Sequence, residues 1–252
     1  MTRRPANSQT IMNATLTPPR IVSPAEWLAA RQQHLVREKQ LTRALDELYA
    51  ERRQLPWTRV GKRYTFDTPT GKKTLAELFD GRSQLFVYHF MFGPDWDEGC
   101  KSCSFVADHF DGPRQHLEHH DLTLVAVSRA PLPKLEAYKR RMGWKFPWVS
   151  SFANDFNHDF HVSFRPEEMA PGKAYYNYGF IQETLPFDEL PGASVFVRGE
   201  GGEVYHTYST YTRGLDVLLG THHMLDFTPK GRDERTGTMD WVRRHDSYDA
   251  AN

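Results

Sequence analysis

The chain has almost no cysteine, two in 252 residues. A disulfide-stapled fold needs cysteines spread over several loops, so that architecture is excluded. Charge of one sign is not in excess either: Lys+Arg and Asp+Glu both number 32, and the formal net charge is +0. Nothing in the composition therefore steers the chain onto nucleic acid or an anionic membrane. Long apolar runs are missing as well. The longest, LFVYHFMF at 85–92, falls far short of the roughly 20 residues that span a bilayer, which excludes a membrane-crossing helix. The opening residues include Arg3 and Arg4 but no apolar stretch of signal-peptide length, so a cytoplasmic location is expected. There is no internal repeat, no GxSxG elbow, no zinc-protease helix signature and no phosphate-binding glycine loop. RGEGGEV at 198–204 reads as a hairpin turn instead.

What is present is a globular composition, 39% hydrophobic and 13% aromatic, in a chain long enough for one core with appendages. Residues 1–22 are rich in Thr, Pro and Asn without apolar period and read as a disordered arm. At Ser23-Pro24-Ala25-Glu26 an N-cap hydroxyl, a proline at the first helical position and a Glu three residues after the cap coincide. They start a helix expected over about 24–53, within an N-terminal extension at 23–55. Its apolar positions, Trp27, Leu28, Leu35, Leu41, Leu45 and Leu48, are sparse, so the helix lies on a surface or pairs with a neighbour, and a homo-oligomer contact is the expected use.

From 56 to 228 strands and helices alternate. QLFVYHFMF (84–92) is a continuous aromatic and β-branched run, the mark of a parallel central strand buried on both faces. A helix from about Cys100 follows, split at Gly112-Pro113, then the buried strand LTLVAVS (122–128), an amphipathic helix at 131–144 and KFPWVSS, read as an edge strand because of Pro147. Residues 152–190 form an aromatic, irregular insert. SVFVRGEGGEVYHTYST is a hairpin, a last helix is expected over about 211–226, and 229–252 reads as a polar C-terminal tail. The fold class expected is α/β, a central mixed sheet flanked by helices.

The two cysteines, Cys100 and Cys103, are spaced CxxC at a strand-to-helix junction. Free N–H groups in the first helical turn favour a thiolate, which makes Cys100 the nucleophile. Cys103, one turn on, is placed to resolve a mixed disulfide by attacking the Cys100 sulfur. Lys101 between them favours the thiolate, Asp97 and Glu98 upstream oppose it, and Ser102 completes the pair between the thiols. Asp97, Glu98 or Asp108 are candidates to accept the Cys103 proton, and Trp96 with Phe90 and Phe92 to shape a docking surface. The rivals are a reduced pair of core cysteines and a zinc or copper site completed by His89, His109, His206 or His222-His223, but no His stands at a supporting short spacing. Adjacent histidines such as His119-His120 and His222-His223 read as surface residues, Asp155, His158, Asp159 and His161 as a hydrogen-bonded loop, and Tyr175, Tyr176, Tyr178 and Phe180 as packing. No metal and no cofactor is expected.

The span FVYHFMFGPDWDEGCKSCSFVADHFDG, with DFNHDFHVSF, VYHTYSTYTRG and LDFTPKGRDE in order, resembles the bacterial thioredoxin-like proteins of unknown function held to be dithiol–disulfide oxidoreductases. The resemblance covers most of 24–235 and implies a thioredoxin-like fold with Cys100 and Cys103 in the redox positions. It implies a disulfide-containing protein or a small thiol as substrate. Thioredoxins place a cis-proline before the hairpin strand, and Pro191 is the nearest candidate here. Their tryptophan adjoins the first cysteine, whereas Trp96 lies four residues before Cys100. The peroxiredoxin PxxxTxxC pattern is not matched, although a thiol peroxidase using the same cysteines is an alternative, as is a non-catalytic binding or oligomeric protein of this fold.

Overall fold

The computed structural model describes residues 19–248, so most of the expected arm at 1–22 lies outside the described residues. The described residues form two compact units, one of those up to Gln54 together with Arg235–Gly237, the other of Leu55–Glu234 together with those from Thr238 onward. In the first, helix α1 (Pro24–Arg52) starts on a complete capping box: the Ser23 hydroxyl accepts from Glu26 N–H, and the Glu26 carboxylate accepts from Ser23 N–H at 3.0 Å. None of its residues is buried.

In the second unit the chain forms strands β1 (Thr58–Arg59), β2 (Thr65–Thr68), β3 (Gly71–Thr74) and β4 (Gln84–His89). Helices α2 (Lys101–Ala107) and α3 (Arg114–His119), strand β5 (Leu122–Ser128), helix α4 (Leu132–Arg141) and strand β6 (Trp148–Ser150) follow. The aromatic insert contains α5 (Phe156–Asp159) and the small hairpin of β7 (Tyr175–Tyr176) and β8 (Gly179–Phe180). Strands β9 (Gly192–Arg198) and β10 (Val204–Tyr211), a 3-10 segment Thr212–Leu218 and α6 (Gly220–Asp226) complete the order.

Eight strands among the described residues join one sheet in the order β1-β10-β9-β4-β5-β6-β2-β3. At its centre β4 runs parallel to β5 and antiparallel to β9, which forms a hairpin with β10. Strand, helix, parallel strand, helix, then an antiparallel hairpin returning beside the first strand is a thioredoxin-like fold. The continuous apolar run of β4 is explained by this placement, since both edges are hydrogen-bonded and both faces are covered. Leu85 and Val87 point into one cluster with Phe66, Phe79, Val125 and Phe196. Tyr88 and Phe90 belong to the other, with Phe92, Phe105, Leu135 and Trp148.

Four expectations are corrected. Strand β6 is not an edge, because β2 pairs beyond it through Asp67 and Ser150. Pro147 stands just before β6, where its missing N–H costs nothing and its carbonyl accepts from Ala126 N–H at 2.9 Å. The last helix is broken into a 3-10 segment and α6 at Leu219, which is fully buried. His222, read as a surface residue, is buried against Phe105 and Trp241 with neither ring nitrogen partnered, and burial lowers its pKa. The described part of the expected tail, 229–248, is not all exposed either. Val242 is fully buried in the Phe90 cluster, with Met239 and Trp241 packed against it, because these apolar side chains cover an otherwise open side of α2.

On the opposite face a line of polar side chains crosses three strands: His89 Nε2 lies 2.9 Å from Ser194 Oγ, which lies 2.8 Å from Ser209 Oγ, which lies 2.7 Å from His206 Nε2. Burial, and then the neighbouring His206, push the His89 pKa down to about 3 from 6.5. The folded state thus keeps His89 neutral while the unfolded chain takes up a proton below about 6.5, so its contribution is fully present above that pH and is lost as the pH falls toward about 3. Stability read from urea midpoints is therefore expected to fall between pH 7 and pH 4, less steeply in His89→Gln; equal slopes in the two proteins would refute this account.

Candidate redox site

Beyond β4 the buried residues Phe90, Met91 and Phe92 lead the chain off the sheet into a loop fixed from both sides. Lys134 of α4 donates to the carbonyls of Pro94 and Trp96 at 2.8 and 2.7 Å. At Gly99 only glycine fits, since a Cβ would stand 2.7 Å from the Phe90 ring and 3.0 Å from that of Tyr138. Cys100 is then the N-cap of α2, extended at φ −53° and ψ 133°, with its N–H donating to Met91 at 3.1 Å.

The Cys100 carbonyl accepts from both the N–H and the hydroxyl of Ser104, each at 2.9 Å. Since the Ser104 proton is used there, the Tyr138 hydroxyl, 2.9 Å away, donates to Ser104 Oγ. Arg244 closes the knot. Its Nε donates to Tyr138 Oη at 2.7 Å, one terminal nitrogen donates to the Gly99 carbonyl at 2.7 Å, and the other pairs with Glu98 at 2.9 Å.

The two thiols sit in different surroundings. Cys100 is partly exposed and Cys103 is buried. The Cys103 thiol donates toward the Cys100 sulfur, and against the opposing effect of burial this, with the Cys103 and Ser102 backbone N–H groups and the Arg244 charge, brings the Cys100 pKa down to about 6. Burial, and then the Cys100 sulfur, push Cys103 well up. The Tyr88 hydroxyl faces the Cys103 sulfur and each acts on the other's pKa, although that hydroxyl is buried without a well-formed hydrogen bond. One cysteine is thus a thiolate near neutral pH and the other a thiol.

A cleft of about 290 Å3 opens beside the pair, and both sulfur-bearing residues line it together with Ser102 and Pro191. Pro191 directly precedes β9, its carbonyl accepts from the Tyr176 hydroxyl at 2.6 Å, and no cis peptide bond occurs among the described residues. The aromatic insert therefore helps seat Pro191, in the trans form. The other expected residues stand back from the cleft. Lys101 is exposed, Trp96 packs edge-on against Phe187, and Glu98 is tied to Arg141 and Arg244. Asp108 accepts from Trp144 Nε1 and pairs with His245, each at 2.7 Å, so it does not serve Cys103.

Of the histidines of the metal alternative, His109 is engaged with Phe105 and Thr221, and His89 and His206 lie in the serine line. No group of three or more His, Cys, Asp or Glu able to hold a metal occurs among the described residues. His158 is held between the Ser163 carbonyl and Arg129, and Asp155 and Asp159 pair with Lys62. Sequence reading missed Arg244, Tyr88 and Met239. Arg244 lies 145 residues from the carbonyl it grips, and the only hint was apolar Met239, Trp241 and Val242 just before it.

The profile described as "Bacterial protein of unknown function (DUF899)" matches residues 16–248. The chain belongs to this family. No curated protein matches it in sequence. Among solved structures it is similar to the peroxidoxin BcpB of Mycobacterium tuberculosis, at 15% identity and TM-score 0.44, covering 66% of this chain and 95% of that one. A mutant of PrxQ from Xylella fastidiosa is similar at 13% identity and TM-score 0.41, covering 67% and 94%. A yeast mitochondrial 1-Cys peroxiredoxin is similar at 16% identity and TM-score 0.38, covering 69% and 78%. These likenesses say nothing of this chain's reaction. Among the described residues no helix is long and apolar enough to cross a membrane.

Removing the guanidinium tests the electrostatic account. In Arg244→Gln the Cys100 pKa is expected to rise and the thiolate fraction at pH 6 to fall by about twofold, with Arg244→Lys recovering part of it. The check is the pH profile of thiolate absorbance and alkylation rate; an unmoved profile in Arg244→Gln would remove Arg244 from the account.

Proposed function

We propose that the protein is a thiol–disulfide oxidoreductase in which Cys100 attacks and Cys103 resolves. One observation carries the reading: two cysteines one helical turn apart at a cleft, the partly exposed one lowered to about 6 and the buried one raised. The Cys100 thiolate attacks one sulfur of a disulfide, the S–S bond breaks, and one half leaves as a thiolate. Cys103 gives its proton to the departing sulfur, and its own sulfur then attacks Cys100 to release the second half. The substrate gains two electrons and the dithiol becomes a disulfide. Ser102 and Pro191 would flank the sulfur under attack, while Trp96, Glu98 and Lys101 lie outside the cleft, where a larger partner would meet them. The partner is a disulfide-containing protein or a small thiol compound in the cytoplasm, with no part for nucleic acid, a membrane or a cofactor.

Peroxide reduction is the second reading, favoured by the open side of the Cys100 thiolate. The sulfur would take one peroxide oxygen as a sulfenic acid while the other leaves as an alcohol, and Cys103 would form the disulfide with loss of water.

The reduced full chain incubated with hydroxyethyl disulfide separates these outcomes by intact mass. The wild type is expected to end as the internal disulfide, Cys103→Ser as a stable mixed disulfide on Cys100, and Cys100→Ser without an adduct. A wild type and a Cys103→Ser variant that both stay unmodified would overturn the exchange reading, and a sulfenic acid trapped in Cys103→Ser by peroxide alone would favour the second.

A further inference from the structure

The cleft beside the dithiol carries chemical information of its own. Besides the two cysteines and Tyr88, its wall is built from Met91, Val106, Leu215, Leu219 and Met239. Two charged side chains stand on it, and they are engaged with each other: Arg213 donates to Asp216 at 3.1 Å, and the same carboxylate oxygen accepts from Arg232 at 3.4 Å. A charged group entering the cleft would give up its water and meet charges already paired within the protein. An apolar group would meet apolar walls. The volume of about 290 Å3 is about twice that of a cavity that holds benzene.

We infer that the cleft binds the apolar arm of a small disulfide, an aliphatic or aromatic group of about six to ten carbons, and so selects which half of the substrate becomes attached to Cys100. This rests on the dithiol reading above. The thiolate attacks the sulfur that bears the apolar arm, the other half departs and takes the Cys103 proton, and Cys103 then displaces the arm as a thiolate. A substrate whose arms are both charged, as in oxidised glutathione, is a poor fit to the same cleft.

Methanethiosulfonate reagents test the arm with the reacting group held constant, since all transfer a sulfur-linked arm to a thiolate and release the same sulfinate. The full-length, reduced protein is treated with the methyl, n-hexyl and 2-sulfonatoethyl reagents, and the rate at which the reduced form is lost, to adduct or internal disulfide, is followed by mass. Hexyl is expected to react at least about tenfold faster than methyl, and sulfonatoethyl no faster than methyl. Thr238 is exposed at the cleft, and Thr238→Trp, which fills it, is expected to bring the hexyl-to-methyl ratio close to one. Equal hexyl and sulfonatoethyl rates, or a ratio unchanged in Thr238→Trp, would overturn the inference. A methyl rate no higher than that of free cysteine would instead sink the dithiol reading, while the ratio would still judge the cleft.

Discussion

Strand β4 has to be paired along both edges and covered on both faces, and the rest of the second unit follows from meeting that demand. Its backbone groups are satisfied by β5 on one side and β9 on the other. Its side chains alternate between two separate clusters, so helices must cover one face while the segment Leu75–Phe79 and the insert cover the other. The strand also sets the site. Where β4 ends, three buried residues carry the chain over the end of the sheet, and Cys100 hangs from Met91 by its own N–H. A strand so thoroughly enclosed gives the first thiol a fixed starting point.

The division of labour between the cysteines is a matter of depth. Both belong to one turn of α2, yet one faces the open cleft and the other the interior. Desolvation works against either thiolate, and only Cys100 has enough donors and positive charge nearby to overcome it. The donors come from the backbone of α2 itself and from the Cys103 thiol, while the positive charge arrives from the far end of the sequence. Tyr138 and Ser104 connect the two contributions, since one hydroxyl receives Arg244 and the other steadies the Cys100 carbonyl.

Local pattern made the central strands, the capping box and the position of the dithiol legible, because each depends on residues near one another in sequence. Pro191 stood out only as the nearest proline to the hairpin strand, because the extension of β9 back to Gly192 depends on its pairing with β4 and β10. What escaped depends on tertiary contact. The edge assignment of β6 failed because β2, some eighty residues earlier, supplies its outer neighbour. His222 looked like a surface residue until Phe105 and Trp241 closed on it. The composition of 229–252 hid Val242 and Arg244, since a few apolar residues among many charged ones carry no period to read. Asp108 was a reasonable proton acceptor by spacing, and Trp144 and His245 had already claimed it.

The Arg244 clasp has a consequence for how the protein comes into being. During synthesis Gly99 and Cys100 leave the ribosome long before Arg244 does, 145 residues separating the guanidinium from the carbonyl it grips. Until that arginine arrives, Tyr138 and the Gly99 carbonyl lack this donor and Glu98 lacks this cation. The loop before α2 is therefore completed by a residue made well after it, and the last bonds to Gly99 and Glu98 wait on that residue.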